Sequence, residues 1–365
     1  MRRNDNLCQI PLLSRRRLLV ASVATAGDTL PASAALNTAD WVSFKSRFLS
    51  ADGRITDNGN GGVSHSEGQG WGLLFASAFR DEESFDRILS WTRRHLRRPN
   101  DNLHSWRFVP SDQPSVRDLN NATDGDIFIG AALARAGRLW RRPDHLAAAA
   151  DIARDILSRL VRRVGSRLVL LPGVTGFETD DGVIINPSYY AFPMIAELAK
   201  LVPSPTWAQL QRDGRALIEQ GRFGQWGLPP DWLRISLPTM ILSPAPGWPP
   251  RFSFDAIRIP LWHTWHRLPA SLMQRSVVKF WATFPPRAIP AWADLVTNQT
   301  AEYPITPGIL AVMQLTRASL VPGTQPDFPP VADGRTYYDA ALILLSRITW
   351  QEIAVTSPDL MRHVP

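Results

Sequence analysis

The chain has 365 residues, 44% hydrophobic and 9% aromatic, enough to bury a large core in one large domain or two ordinary ones. Its formal charge is +7, but the first 34 residues carry Arg2, Arg3, Arg15, Arg16 and Arg17 against Asp5 and Asp28, a net +3; the remaining +4 is too dispersed to argue nucleic-acid binding. The sole cysteine, Cys8, lies in the same stretch, which excludes a disulfide framework and a cysteine metal site from the rest.

That stretch has the order of a removed export signal. Arginines precede an apolar run, Leu18 to Ala26, and Ala32-Ser33-Ala34 supplies a small-residue cleavage site. Ser14-Arg15-Arg16-Arg17-Leu18-Leu19 resembles the twin-arginine class. The apolar run is too short to span a bilayer. The expectation is a signal over 1–34, a mature chain of 35–365, and a periplasmic or secreted location.

In chain order, Thr38 to Leu49 predicts a short amphipathic helix. After glycine-rich Asn58 to Gly62, Ser64-His65-Ser66-Glu67 leads into a second helix ending near Arg80, with Glu67 in its first turn and Gln69 and Trp71 close by. Glu82 to Arg97 follows, with Phe85, Ile88, Leu89 and Leu96 at helical spacing. A long connection, Arg98 to Asn121, holds Trp106. Asp124 to Trp140 predicts a strongly apolar helix and Pro143 to Val164 an amphipathic partner. Leu168 to Leu171, a Pro-Gly and a Thr-Gly turn, and Val183 to Ile185 predict a β-hairpin. Helical periodicity resumes over Pro187 to Val202, Thr206 to Gln220, Asp255 to Arg267, Ser271 to Phe284, Thr306 to Ala318 and Tyr337 to Ile353. The reading is one all-α domain with a small β-hairpin insertion. The alternation of more apolar and more charged helices suggests an inner and an outer ring, with the inner helices parallel and their N-termini at one face.

Three acids then stand at the starts of apolar helices: Glu67, Asp124 in Ala122-Thr123-Asp124-Gly125-Asp126, and Asp255 in Ser253-Phe254-Asp255-Ala256. Singly they are helix-end residues that complement the dipole. Gathered in one cleft, they suit hydrolysis of a glycosidic bond, where one carboxyl donates a proton and another, ionised, activates water or attacks carbon. Like charges nearby keep a proton on such a cluster.

Ser66-Glu67-Gly68-Gln69 followed by glycine and an aromatic, Ala122 to Asp126, Asn186-Pro187-Ser188-Tyr189 and Asp255-Ala256-Ile257-Arg258 resemble, in order, the motifs of glycoside hydrolase family 8. Within that family the likeness is greatest to the periplasmic endoglucanases associated with bacterial cellulose synthesis. The resemblance implies an (α/α)6 barrel, a β-1,4-glucan substrate and inversion at the anomeric carbon, with acid and base about 6.5–9.5 Å apart. By motif, Glu67 is the general acid and Asp255 the general base, while Asp124 holds the sugar at the cleavage point and helps keep Glu67 protonated. Arg258, Tyr189, Trp106 and Gln69 join Asp124 as substrate-binding candidates. The chain departs from the family at Phe254, where relatives commonly have tyrosine, at Trp71 and at Leu73.

Alternatives are a chitosanase, xylanase or lichenase of the same family, or a glycan-binding component of a polysaccharide export system that performs no catalysis. His263 and His266 are spaced three apart but have no third ligand nearby, so no metal or cofactor is assigned. The expected partners are a β-glucan and, functionally, the cellulose synthesis machinery; the chain is expected to be a monomer.

Overall fold

The computed structural model describes residues 36–321 and 323–356. The export signal expected over 1–34, Cys8 included, lies outside the described residues.

The described residues form eleven α-helices: α1 Thr38–Phe48, α2 Ser66–Ala78, α3 Glu82–His95, α4 Thr123–Leu139, α5 Pro143–Asp155, α6 Phe192–Leu201, α7 Pro205–Gln220, α8 Ile259–Trp265, α9 Leu272–Ala282, α10 Pro307–Leu320 and α11 Tyr337–Thr356. They fall into two kinds. In α3, Phe85, Ile88, Leu89 and Trp91 are buried while Arg93 and Arg94 face solvent, so only one stripe meets the core. In α4, the run from Thr123 to Ala134 is buried on every side, as it must be in a helix surrounded by others. The second kind closes a ring: α2 packs on α4, α4 on α6, α6 on α8, α8 on α10, α10 on α11, and α11 returns to α2. Helices α1, α3, α5, α7 and α9 lie outside it. In place of a sixth outer helix a single 3-10 turn, Val331–Asp333, packs on α11 beside α1. This is an (α/α)6 barrel. No helix among the described residues is long and apolar enough to cross a membrane.

The tightest joint of the ring is between α2 and α4. A Cβ on Gly70 would stand 2.7 Å from the Phe128 Cβ, and one on Gly125 would stand 2.1 Å from the Ser66 Oγ and 2.8 Å from the Glu67 amide nitrogen. Two glycines therefore let the starts of two helices touch through their backbones.

The β structure is larger than expected and differently paired. The helix expected to run to Val164 ends at Asp155, passes through a π-helical turn, Ile156–Leu160, and becomes a strand, Val161–Val164. That strand pairs with Arg167–Leu170 around Gly165, whose φ of +58° suits glycine. The expected second arm, Val183 to Ile185, forms the strand Gly182–Ile185, which instead lies between Glu178–Thr179 and Leu233–Ser236, the latter in turn pairing with Leu242–Pro244. Likewise the helix expected from Asp255 starts as a 3-10 turn, Ala256–Arg258, and becomes α-helical at Ile259. Pro260 has no N–H for the Ala256 carbonyl, and the Ile259 N–H donates to it instead.

Candidate active site

Four inner helices open at the same end of the ring, and one side chain joins their starts. Arg258 is only 3% exposed. Its Nη1 donates to the Glu67 carboxylate and lies 3.6 Å from Asp124 Oδ2; its Nη2 donates to Asp255 Oδ1 at 2.5 Å and to the Ser188 Oγ at 2.9 Å. Glu67 belongs to the first turn of α2 and Asp124 to that of α4. Ser188 precedes α6, and Asp255 and Arg258 lead into α8. A planar guanidinium with a fork of donors is suited to hold several oxygens at fixed angles. The residues at 67, 124 and 255, far apart in sequence, thus share one charge.

Three carboxylates around one cation leave excess negative charge in a site shielded from water. Asp124 is pushed well above the usual carboxylate range, first by burial and then by the charge of Glu67, with Arg258 acting against both. Asp255 is also raised, by burial, while Arg258 pulls it down and Glu67 pushes it up. The Glu67 side chain is 18% exposed and that of Asp124 only 5%, so of this close pair Glu67 is the one that reaches the open cleft. The Asp255 side chain is 32% exposed and faces the same opening.

Aromatic side chains flank the acids on both sides. Next to Glu67, the Ser66 amide donates to the Trp106 carbonyl at 3.0 Å, and the Trp106 ring lies parallel to His65 with centroids 6.3 Å apart. Trp106 is held edge-on by its Nε1 donating to Asp118 at 2.8 Å. On the Asp255 side, Trp232 stacks with Phe177 and with Trp248, at 5.8 and 4.7 Å, and Tyr189 meets it edge-on at 6.2 Å. Tyr189 is raised well above the ordinary phenol range by burial and by the charges of Asp124 and Asp255. Tyr338 of α11 donates its hydroxyl to the Phe254 carbonyl, and its ring lies edge-on to that of Phe254.

Gln69, expected at the substrate, and several other side chains near the motifs face the interior instead. Gln69 is fully buried; its Oε1 accepts from the Ile55 amide at 2.6 Å and its Nε2 donates to Thr92 Oγ1 at 2.9 Å. It points away from the opening and ties α2 to α3 and to the preceding loop, leaving no free polar face for substrate. Asp126 is buried as well, holding the His104 amide and ring at 2.8 and 2.9 Å and Asn121 at 2.9 Å, and so fastens both ends of the long connection that carries Trp106. Trp71 is core, packed on Tyr337 and Phe128 with the Arg258 guanidinium 5.7 Å above it. Trp226 packs on Phe280 and Phe284. His263 points its Nδ1 at the Ile259 carbonyl, 3.1 Å away, and His266 stacks on Phe192.

Residues 17–352 match the sequence profile of the glycosyl hydrolases family 8. The chain belongs to glycosyl hydrolase family 8. It is 44% identical to a probable endoglucanase of Novacetimonas hansenii, over 86% of this chain and 90% of that protein. It is 40% identical to an endoglucanase of Cellulomonas uda, over 82% of this chain and 83% of the relative. Among solved structures, the endo-β-1,4-glucanase of Acetobacter xylinum superposes with a TM-score of 0.80 at 43% identity, covering 85% of this chain and 96% of that one.

Three residues of this family 8 site were not singled out from sequence. Ser188 lies in the quoted Asn186 to Tyr189 motif, but nothing there marked its hydroxyl as a partner for Arg258. Tyr338 is one of two adjacent tyrosines, and only the helix register shows which faces the acids. Asp231 follows Pro229-Pro230 and sits directly behind Asp255; an acid after two prolines resembles an ordinary turn residue.

Proposed function

We propose that this family 8 hydrolase is an endo-β-1,4-glucanase, cutting internal bonds of cellulose or a related β-glucan with inversion at the anomeric carbon. The observation that carries this reading is the joining of Glu67, Asp124 and Asp255 on one buried guanidinium. Ionising all three acids would crowd like charge into a desolvated pocket, so the cluster, in which Asp124 is pushed well above its usual range, retains a proton. Glu67, more exposed than Asp124, gives that proton to the glycosidic oxygen as the bond from C1 to that oxygen breaks. Asp255, whose carboxyl Arg258 draws down against the lift of burial, takes a proton from a water whose oxygen forms the new bond to C1 from the opposite face. Asp124 holds the sugar at the cleavage point, with Tyr189 and Arg258 beside it. Trp106 on the acid side and the stack of Phe177, Trp232 and Trp248 on the base side supply apolar surface to successive glucose rings.

An acid and a base set among aromatic walls in mid-cleft fit attack within a long chain rather than at its end. Purified protein is expected to lower the viscosity of carboxymethylcellulose quickly while few reducing ends appear, and Glu67→Gln should abolish this. Proton NMR of fresh product should show the α-anomer; β-anomer appearing first removes the assignment of Asp255 as base. A glycan-binding protein without catalysis would bind oligosaccharide yet cleave nothing. A panel of cellulose, chitosan, xylan and mixed-linkage glucan separates the substrate alternatives. The same reading takes 35–365 as one catalytic domain, exported through the twin-arginine pathway, monomeric, and working alongside cellulose synthesis.

A further inference from the structure

Asp255 occupies the N-cap position of the 3-10 turn Ala256–Arg258 but makes no cap hydrogen bond with its side chain. An aspartate at a helix start ordinarily turns its carboxylate back onto the first free amides. Here the Ile257 amide donates to the Ser253 carbonyl at 2.9 Å and the Arg258 amide to the Asp255 carbonyl at 3.1 Å, and the remaining amide of the turn, that of Ala256, is served from another segment. Asp231, 8% exposed, reaches over from the segment before the strand Leu233–Ser236. Its Oδ1 accepts from the Ser253 amide at 3.0 Å and the Ala256 amide at 2.8 Å, while its Oδ2 is bonded to the Ser253 hydroxyl. The Asp231 amide in turn donates to the Arg251 carbonyl at 2.7 Å, which fixes the segment that brings it there.

We propose that Asp231 is a positioning residue: it caps the Asp255 turn from another segment and thereby leaves the Asp255 carboxylate free to face the water it activates. Three donors on either side of Asp255 are gathered by one carboxyl group, so the backbone at 253–256 is held in the single conformation that turns the base outward. Were Asp231 absent, Asp255 would be the nearest acceptor for the Ala256 amide, and the base would fold back to cap its own helix. Burial and the charge of Asp255 push Asp231 up to about 7. Its service is hydrogen-bond acceptance, which a neutral carboxyl or a carboxamide also performs. Asp255 is additionally faced by Arg258, by the charge of Glu67 and by the side chains of Asn186 and Trp232, while the Ala256 amide is bonded to Asp231.

The inference rests on Asp255 being the base, and the test separates the two ideas. With soluble cello-oligosaccharide, Asp231→Ala is expected to lower kcat by about 30-fold to 100-fold, the loss that misplacement of a reacting group by about 1 Å causes, with KM within about threefold. Asp231→Asn, which keeps the Oδ1 acceptor, should recover kcat to within about fivefold of the parent enzyme. A merely structural role would lower the melting temperature and leave kcat per folded molecule unchanged. A folded Asp231→Ala enzyme with parental kcat overturns the proposal, as does an asparagine variant no better than alanine. Should the alanine variant not fold, Ser253→Ala decides: it releases one Asp231 oxygen and is expected to reduce kcat at constant KM, whereas a parental kcat overturns the proposal. Failure of the underlying reading looks different, with Asp255→Ala retaining activity whatever happens at 231.

Discussion

Arg258 is a single residue with four partners, and its replacement is the sharpest test of the site. Removing one member of a buried ion pair leaves the others uncompensated, at about 3–5 kcal/mol, so Arg258→Met should lower the melting temperature and abolish activity. Arg258→Lys keeps the charge but not the fork and cannot hold Glu67 and Asp255 together. The sign of its pH effect follows from a weaker contact between the cation and Asp255. A nearby positive charge lowers a carboxyl pKa, so weakening that contact raises it, and the base is protonated at a higher pH. The acidic limb of the kcat profile should therefore move upward in the lysine variant; a limb at the parental position contradicts the contact. Gln69 gives the opposite case. Gln69→Ala leaves the buried Ile55 amide without its acceptor, which should cost about 1–3 kcal/mol of stability while the folded fraction keeps its KM; a raised KM at unchanged stability would return Gln69 to the cleft.

Among the elements, the joint of α2 and α4 brings Glu67 and Asp124 together. In an ordinary helix, glycine to alanine gains about 1 kcal/mol. At Gly125 the new methyl would collide with the Ser66 side chain and the Glu67 backbone, and overpacking of that kind costs about 1–3 kcal/mol or more. The steric term wins, so Gly125→Ala should destabilise the fold and lower kcat together, measured by thermal unfolding and steady-state rates; a gain in stability would show the two helices to be looser than described. Most helices were legible because their apolar spacing is unbroken, as in Glu82 to Arg97. The misplaced pairing of Leu168 to Leu171 has a physical cause. Alternation shows that a segment is a strand but says nothing of its partner, and Val161 to Val164 reads equally well as the tail of the preceding helix. The strand Leu233–Ser236 went unread because four residues between prolines carry too little pattern to distinguish it from loop.

For the whole molecule, the convergence of residues 67, 124 and 255 could be inferred because each acid opens an apolar helix and a ring of parallel helices collects such ends. What sequence alone left open was which neighbours face inward. Gln69 and Asp126 each sit two residues from a cleft acid yet serve the interior, since positions two apart on a helix point about 200° from one another. Export belongs to this scale too. Arg15-Arg16→Lys-Lys should leave precursor in the cytoplasm when fractions are probed with antibody, and unimpaired processing would reject the twin-arginine assignment.

The guanidinium that joins α2, α4, α8 and the turn before α6 has a temporal consequence. A nascent chain lacking residue 258 carries two of its acids but no latch to bring them to the third, so catalytic competence is conferred only after the start of the fourth of the six inner helices has been made. Heat should then extinguish turnover and tertiary circular dichroism in a single step, with no inactive but otherwise native-looking species preceding it.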